Sequence, residues 1–260
     1  MPEIQNYQMD LSGKTAVVTG GAGGIGTAIC QVLARAGAHV GIHYHSSEAG
    51  ALALREQINR MGGSATAVYA DVTSKADIEG MFDAVTNETG RVDILINNAG
   101  VYPTSAFLDI SEDEYDLMMD ANVRSVVLCT QAAARRITEQ GSGGAVVNIA
   151  SVAASGVLDM HSHYCASKSA VMMFTRAAAR ELGEHNIRVN AVSPGLIWRQ
   201  GLDEAWPEGV SRYKQAAALN RVGQAEDVAN ACLFLVSAAS KWITGIDLVV
   251  DGGVLTDKLF

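Results

Sequence analysis

Short apolar, often β-branched runs alternate with longer stretches in which apolar and small residues recur every three or four positions, from Thr15 to Val250. Short runs bounded by turn residues predict buried strands, and the 3.6-residue period predicts helices covering them. Thr15-Ala16-Val17-Val18 leads through a glycine-rich turn into a helical pattern reaching Ala36, closed by Gly37. A second strand is expected over Ala38 to Tyr44, with Ser46 or Ser47 capping a helix to Met61. Ala65 to Ala70 predicts a third strand, followed by a Ser74-capped helix to Thr89, and Asp93 to Ile96 a fourth. Ser111-Glu112-Asp113-Glu114 has capping-box spacing and opens one long helix carrying Asn122 and ending near Gln140. Strands over Ala145 to Ile149, Ile187 to Val192 and Ile246 to Val250, with helices to Leu182 and from Ala225 to Ser237, complete the alternation. This order predicts an α/β fold on a parallel sheet. The irregular stretch Leu196 to Val222, with Trp198, Trp206 and Tyr213, reads as a lid over substrate.

Composition narrows the function. The 260 residues are 48% hydrophobic and 18% charged, enough apolar material for a two-sided core and too little charge for disorder. Length and the lack of a linker or repeat fit one domain, residues 11–260, behind a polar tail at 1–10. A net charge of -9 without a basic block argues against nucleic acid and anionic membranes as partners, and favours a small molecule. Four scattered cysteines, Cys30, Cys129, Cys165 and Cys232, suggest neither disulfides nor a zinc site, so no metal is expected. With no secretory start and no run of eighteen apolar residues, the expected setting is cytoplasmic.

The candidate chemistry lies at strand ends. Gly20, Gly24, Ile25 and Gly26 stand where a strand turns into a helix, the arrangement that lets backbone approach a pyrophosphate and offers it free N–H groups. A flexible loop would carry the same glycines. After the second strand, where NAD binders carry an acid for the ribose 2'-hydroxyl, the chain reads His43-Tyr44-His45-Ser46-Ser47, with no carboxylate before Glu48. Hydroxyls, a histidine and a helix N-terminus would accept a 2'-phosphate, which favours NADP(H) modestly over NAD(H); strand-end packing would equally explain His43 and His45. Asp71 ends the third strand and either bonds an adenine amino group, with Val72 on the ring, or holds a turn. Asn97-Asn98-Ala99-Gly100 joins amides that can fix a loop to small residues that leave room for a flat ligand. Tyr164 and Lys168, four apart on an expected helix, share a face, so the ammonium is expected to lower the phenol's pKa. Tyr-x-x-x-Lys alone is common on solvated helices. Ser151, just past the fifth strand, adds a hydroxyl.

Together Thr19-Gly20-x-x-x-Gly24-x-Gly26, Asp71, Asn97-Asn98-Ala99-Gly100, Asn122, Ser151, Tyr164-x-x-x-Lys168 and Pro194-Gly195 resemble the short-chain dehydrogenase/reductase family from about Leu11 to Gly253. The resemblance implies a single-domain Rossmann fold, a doubly wound seven-stranded parallel sheet, commonly in a homotetramer. It implies that Tyr164 is the acid or base, that Lys168 lowers its pKa and holds the nicotinamide ribose, and that Ser151 bonds the substrate oxygen. It further implies that Asn122 anchors a water relay, that Asn98, Ala99 and Gly100 line the adenosine-side ribose, and that Pro194, Gly195 and Ile197 border the nicotinamide. Two departures stand out: no basic residue interrupts the glycine turn, and Arg199 occupies the position of a common Thr. Either another group binds the carboxamide or Arg199 serves an anionic substrate. Tyr102, Pro103, Val152 to His161 and Trp198 are expected around a secondary alcohol or ketone. A catalytically idle dinucleotide sensor or assembly subunit on the same fold is the alternative.

Overall fold

The computed structural model describes residues 9–256, so all but the last two residues of the expected N-terminal tail lie outside the described residues. Seven strands form one sheet: β1 (Thr15–Val18), β2 (His39–Tyr44), β3 (Ser64–Tyr69), β4 (Ile94–Asn97), β5 (Gly144–Ile149), β6 (Ile187–Pro194) and β7 (Asp247–Val250). Their order is β3-β2-β1-β4-β5-β6-β7 and every pairing is parallel. Strand order therefore reverses between β1 and β4, the point at which open parallel sheets form a ligand crevice beyond their C-terminal ends.

Alternate residues divide the strands between two cores. Val18, Ile96 and Val147 face α1 (Gly24–Arg35), α2 (Glu48–Arg60) and α9 (Ala225–Val236), which contribute Ile29, Leu33, Leu54, Ile58, Val228 and Leu235. Val17, Leu95 and Val146 face α3 (Lys75–Thr89), α5 (Ser125–Gln140) and α6 (Ser162–Leu182), through Ile78, Phe82, Cys129, Ile137 and Ala179. Both faces are apolar because both are covered. A buried polar ladder aligns the central strands with the second layer: the Asn97 amide donates to Thr130 Oγ1 at 3.0 Å and to Asn148 Oδ1 at 2.8 Å. The Asn148 amide in turn donates to Thr175 Oγ1 at 2.8 Å. Such a network fixes the position of α6, which carries Tyr164 and Lys168.

Three local expectations are corrected. The long helix is two: α4 (Glu112–Met119) and α5 are separated by a π-helical turn, Asp120–Arg124, that holds Asn122. Its capping box is half made, since Ser111 Oγ accepts from Glu114 N–H at 3.2 Å while the Glu114 carboxylate pairs with His163 at 3.2 Å. Ser47 occupies the N-cap of α2 without a side-chain cap bond.

His43 holds the β1 turn in place. It is buried; its Nδ1 accepts from Gly20 N–H at 2.8 Å and its Nε2 donates to the Ala70 carbonyl at 2.9 Å. These partners fix the neutral ring with the proton on Nε2. Burial, reinforced by nearby His45 and opposed by the Ala70 bond and Asp71, holds its pKa below the ordinary value. His43→Leu leaves the Gly20 donor unmatched and is expected to cost about 1–3 kcal/mol of stability at pH 7.5. Urea unfolding checks this, and the difference should shrink as pH falls from about 6.5 through the lower folded value, because wild type must then protonate a ring held neutral.

Candidate active site

The crevice is built from the β1 and β4 turns. Thr19 Oγ1 accepts from Asn98 N–H at 2.9 Å and Ala99 N–H at 3.0 Å, and the Asn98 amide donates to the Thr19 and Gly20 carbonyls at 2.9 and 3.0 Å. The expectation that an Asn fixes the loop holds for Asn98, and Asn97 instead joins the ladder. A Cβ on Gly26 would collide with the Gly20 carbonyl oxygen, so only glycine lets α1 begin this close to the turn. Thr27 N–H to Gly23 O, at 2.7 Å, closes the first helical turn, so the N–H groups of Gly24, Ile25 and Gly26 precede any helical acceptor and fit an anion such as a pyrophosphate. Gly20 does not join them: its N–H is bound to His43.

At the β2 end the Tyr44 phenol donates to Glu48 Oε1 at 3.3 Å, and Tyr69 packs against Tyr44 and His45. His43 is withdrawn from this rim by its two bonds, as strand-end packing would have it, which leaves the rim to Tyr44, His45 and Ser46. Asp71 holds a turn, its Oδ1 accepting from Thr73 N–H at 2.8 Å and Thr73 Oγ1 at 2.7 Å, while Val72 is packed in the core. The two Thr73 bonds keep the Asp71 carboxyl below its ordinary pKa.

The π turn brings Asn122 to the end of β4. Fully buried, Asn122 accepts from Val101 N–H at 2.8 Å and donates to the Val101 carbonyl at 2.9 Å and to Ser167 Oγ at 3.1 Å. A Cβ on Gly100 would meet Asn122 Oδ1 at 2.8 Å and Lys168 Nζ at 3.7 Å, so the crevice floor, Asn122 and Lys168 are adjacent. Ser167 is an unexpected member of this network, although its position three residues after Tyr164 carries it to the same helix face.

Ser151 is extended and its Oγ accepts from Ala153 N–H at 3.1 Å. The Ser151 hydroxyl is close enough to the Tyr164 phenol to lower its pKa, and Lys168 Nζ lies 5.7 Å from the Tyr164 ring centroid. Lys168 is buried, donating to the Ile149 carbonyl at 2.9 Å, and burial lowers its pKa to about 8. The phenol departs from expectation: burial raises its pKa, opposed by the Ser151 hydroxyl and reinforced by Tyr102 and Cys165. Desolvation of the ring is the largest of these influences. Around Tyr164 stand the edge-on rings of Tyr102, at 6.4 Å, and His161, at 6.1 Å. His163 points away, to Glu114.

Beyond β6, a Cβ on Gly195 would displace the Tyr213 hydroxyl, which donates to the Asp251 carbonyl at 2.7 Å. Ile197 bridges Gly223, and the stretch forms α7 (Leu202–Ala205) and α8 (Pro207–Ala216). Trp198 is tied to Gly223 O and Asp203 rather than to Tyr164. Arg199 reaches back to hydrogen-bond the Tyr102 phenol.

Lys168 therefore sits in the fold at a cost. The gap between about 8 and the ordinary 10.5 corresponds to about 3 kcal/mol against the charged form, against about 1 kcal/mol from its bond to Ile149. Lys168→Met is expected to raise stability by about 2 kcal/mol at pH 7. The advantage should fade between about pH 8 and 10.5, where the unfolded wild-type chain binds the extra proton; urea unfolding at pH 7 and 9.5 measures it.

The family profile described as enoyl-(acyl carrier protein) reductase matches residues 20–255. A 3alpha-hydroxysteroid dehydrogenase of Mediterraneibacter gnavus is 40% identical over 94% of this chain and 98% of its own. An L-rhamnose 1-dehydrogenase (NAD(P)(+)) of Azotobacter vinelandii is 37% identical over 96% and 99%. The crystal structure of a short-chain type dehydrogenase/reductase from Mycobacterium marinum superposes with a TM-score of 0.88, at 38% identity over 96% of this chain and 98% of that one. With its all-parallel seven-stranded sheet, glycine turn and crevice, the chain belongs to the short-chain dehydrogenase/reductase family of oxidoreductases.

Proposed function

We propose that the protein interconverts a small to medium secondary alcohol and its ketone with a nicotinamide dinucleotide, Tyr164 acting as acid in reduction and base in oxidation. The observation that carries the reading is the meeting of the Ser151 hydroxyl, the Tyr164 phenol and the buried Lys168 beside the β4 turn. The bound nicotinamide supplies the hydride acceptor or donor. Gly24, Ile25 and Gly26 hold its pyrophosphate, Asn98, Ala99 and Gly100 the ribose region, and Pro194, Gly195 and Ile197 the nicotinamide edge. Ser151 bonds the substrate oxygen as charge grows on it. Tyr164 Oη gives that oxygen a proton in reduction; its raised pKa keeps the phenol protonated at neutral pH, which suits a donor. Asn122, with Ser167, steadies the path by which water and Lys168 restore the proton. Residues 196–222 cover the substrate, with Tyr102 and Trp198 as walls. A small-molecule substrate, a cytoplasmic setting and a homotetramer accompany this reading. The exposed Phe107, Leu108 and Trp242 are apolar surface that an assembly would cover. Among the described residues no helix is long and apolar enough to cross a membrane.

NADP(H) is favoured modestly over NAD(H). Tyr44, His45 and Ser46 at the β2 end, with the N-terminus of α2, support a 2'-phosphate. The Glu48 carboxylate bonded to Tyr44 keeps the margin small, as does the naming of the rhamnose dehydrogenase relative for both cofactors.

Tyr164→Phe is expected to lower turnover of a responsive alcohol or ketone by about 10²- to 10⁴-fold while leaving dinucleotide Kd within about twofold, since the variant lacks only the proton path. Steady-state kinetics across an alcohol and ketone panel, beside fluorescence titration, measure both. Dinucleotide binding without turnover of any panel member would support the idle sensor instead. In the same titrations NADPH should bind a few-fold tighter than NADH, and Glu48→Gln should widen the gap by removing the negative charge; tighter NADH binding would reverse the assignment.

A further inference from the structure

Arg199 is set apart by what surrounds it. Arg91, Arg136 and Arg221 each pair with carboxylates, and Arg188 is occupied by the carbonyls of Leu235 and Ser237 with Ser240 Oγ. The Arg199 guanidinium has a neutral partner: it donates one bond to the Tyr102 phenol and lies 5.6 Å from that ring's centroid. Among the described residues no carboxylate is within ion-pair distance of it, and nearby Asp203 accepts from the Trp198 indole. A guanidinium has five donors in a planar fork, so most of its capacity remains open. Other arginines, Arg35 and Arg212 among them, also lack an ion pair among the described residues, so what distinguishes Arg199 is its place, close to the chemistry. Tyr102, 55% exposed, stands edge-on to Tyr164 with ring centroids 6.4 Å apart, so a single aromatic ring separates the guanidinium from the proton-exchanging phenol.

The other walls do not cancel that charge. His161, on another side of Tyr164, donates from Nδ1 to the Asp159 carbonyl at 2.8 Å and turns Nε2 toward Thr104 Oγ1 at 3.4 Å. Glu114 is bound to His163. Hydroxyl, phenol and imidazole thus face Tyr164, with the Arg199 cation beyond them. We infer that Arg199, steadied by Tyr102, receives a carboxylate of the substrate, which makes the substrate a hydroxy acid and its product the matching oxo acid. The inference rests on the proposed reaction and adds the chemical class of what is turned over. The substrate oxygen meets Ser151 and Tyr164, and its carboxylate, a few bonds away, replaces or joins the Tyr102 hydroxyl on the guanidinium fork, the geometry in which arginine binds carboxylates most strongly.

The test compares 3-hydroxybutyrate with its methyl ester, the same carbinol with and without the charge, together with their oxo counterparts. Wild type should favour the acid at least tenfold in kcat/KM, as a charge-assisted bond warrants. Arg199→Met should raise KM for the acid at least tenfold more than KM for the ester. Arg199→Lys should restore part of the preference, since it returns the charge without the fork. Equal use of acid and ester by wild type, with Tyr164-dependent turnover of both, would overturn this inference and leave the proposed reaction standing. A loss of dinucleotide affinity in Arg199→Met without a change in acid preference would overturn it too, by assigning the guanidinium to the cofactor. Should neither compound turn over, the proposed reaction fails for this class. Calorimetric binding of acetoacetate to the dinucleotide complex, weakened in Arg199→Met, would still support the carboxylate receptor, and equal or absent binding in both proteins would overturn it.

Discussion

The clamp between the β1 and β4 turns is the constraint on which the site depends. Parallel strands end with unpaired backbone groups on the edge where ligands bind, and these groups need partners that do not fill the crevice. Thr19 and Asn98 provide them across the switch point: one hydroxyl accepts two N–H groups of the β4 turn and one amide answers two carbonyls of the β1 turn. His43 completes the arrangement from β2 by holding Gly20 N–H and Ala70 O at once. With the turn's internal donors satisfied, the N–H groups that open α1 are left without helical acceptors, so their fit to an anion follows from these pairings rather than from a separate feature.

The second half of the site is built against stability. Lys168 is buried, with no carboxylate paired to it among the described residues, bonded to a strand-end carbonyl, and its charged form is disfavoured enough to bring its pKa to about 8. A packed interior tolerates such a group only where surrounding structure fixes it, and the Asn97, Asn148 and Thr175 ladder fixes the helix from which it projects. The same burial raises the Tyr164 pKa while the Ser151 hydroxyl opposes it. Two neighbouring groups whose pKa values are both displaced by one dry environment are suited to exchanging a proton, a pairing that an exposed Tyr-x-x-x-Lys helix would lack.

Much of this is legible in the sequence because the fold writes itself in local periodicity. The strand ends of β1, β4 and β5 fall within a residue of their expected limits, since buried parallel strands read as apolar runs. Thr19, Asn98, Ser151, Tyr164 and Lys168 follow those runs directly or lie on the helix that comes next. The misses share another cause. The π turn Asp120–Arg124 keeps apolar spacing on both sides, so period alone reads α4 and α5 as one helix. Ser47 has the right chemistry for a cap and the wrong backbone for the bond. The work of His43 depends on two segments 23 and 27 residues away, and the burial that governs Tyr164 arises from a whole neighbourhood, neither of which is visible along the chain.

Specificity then falls to the parts the scaffold leaves free. The clamp, the ladder and the Asn122 turn are tied down by several bonds each, so substitutions there disturb fold and reaction together. Tyr102, His161 and Arg199 hang on one or two bonds at the pocket mouth, where side chains change with little effect on either core. Under the proposed reaction, a cation in such a position acts on the substrate's far end and leaves the proton transfer between Tyr164 and the substrate oxygen untouched. The rigid floor thereby decides what reaction occurs, and the loosely held rim decides which molecule arrives with its oxygen in the right place.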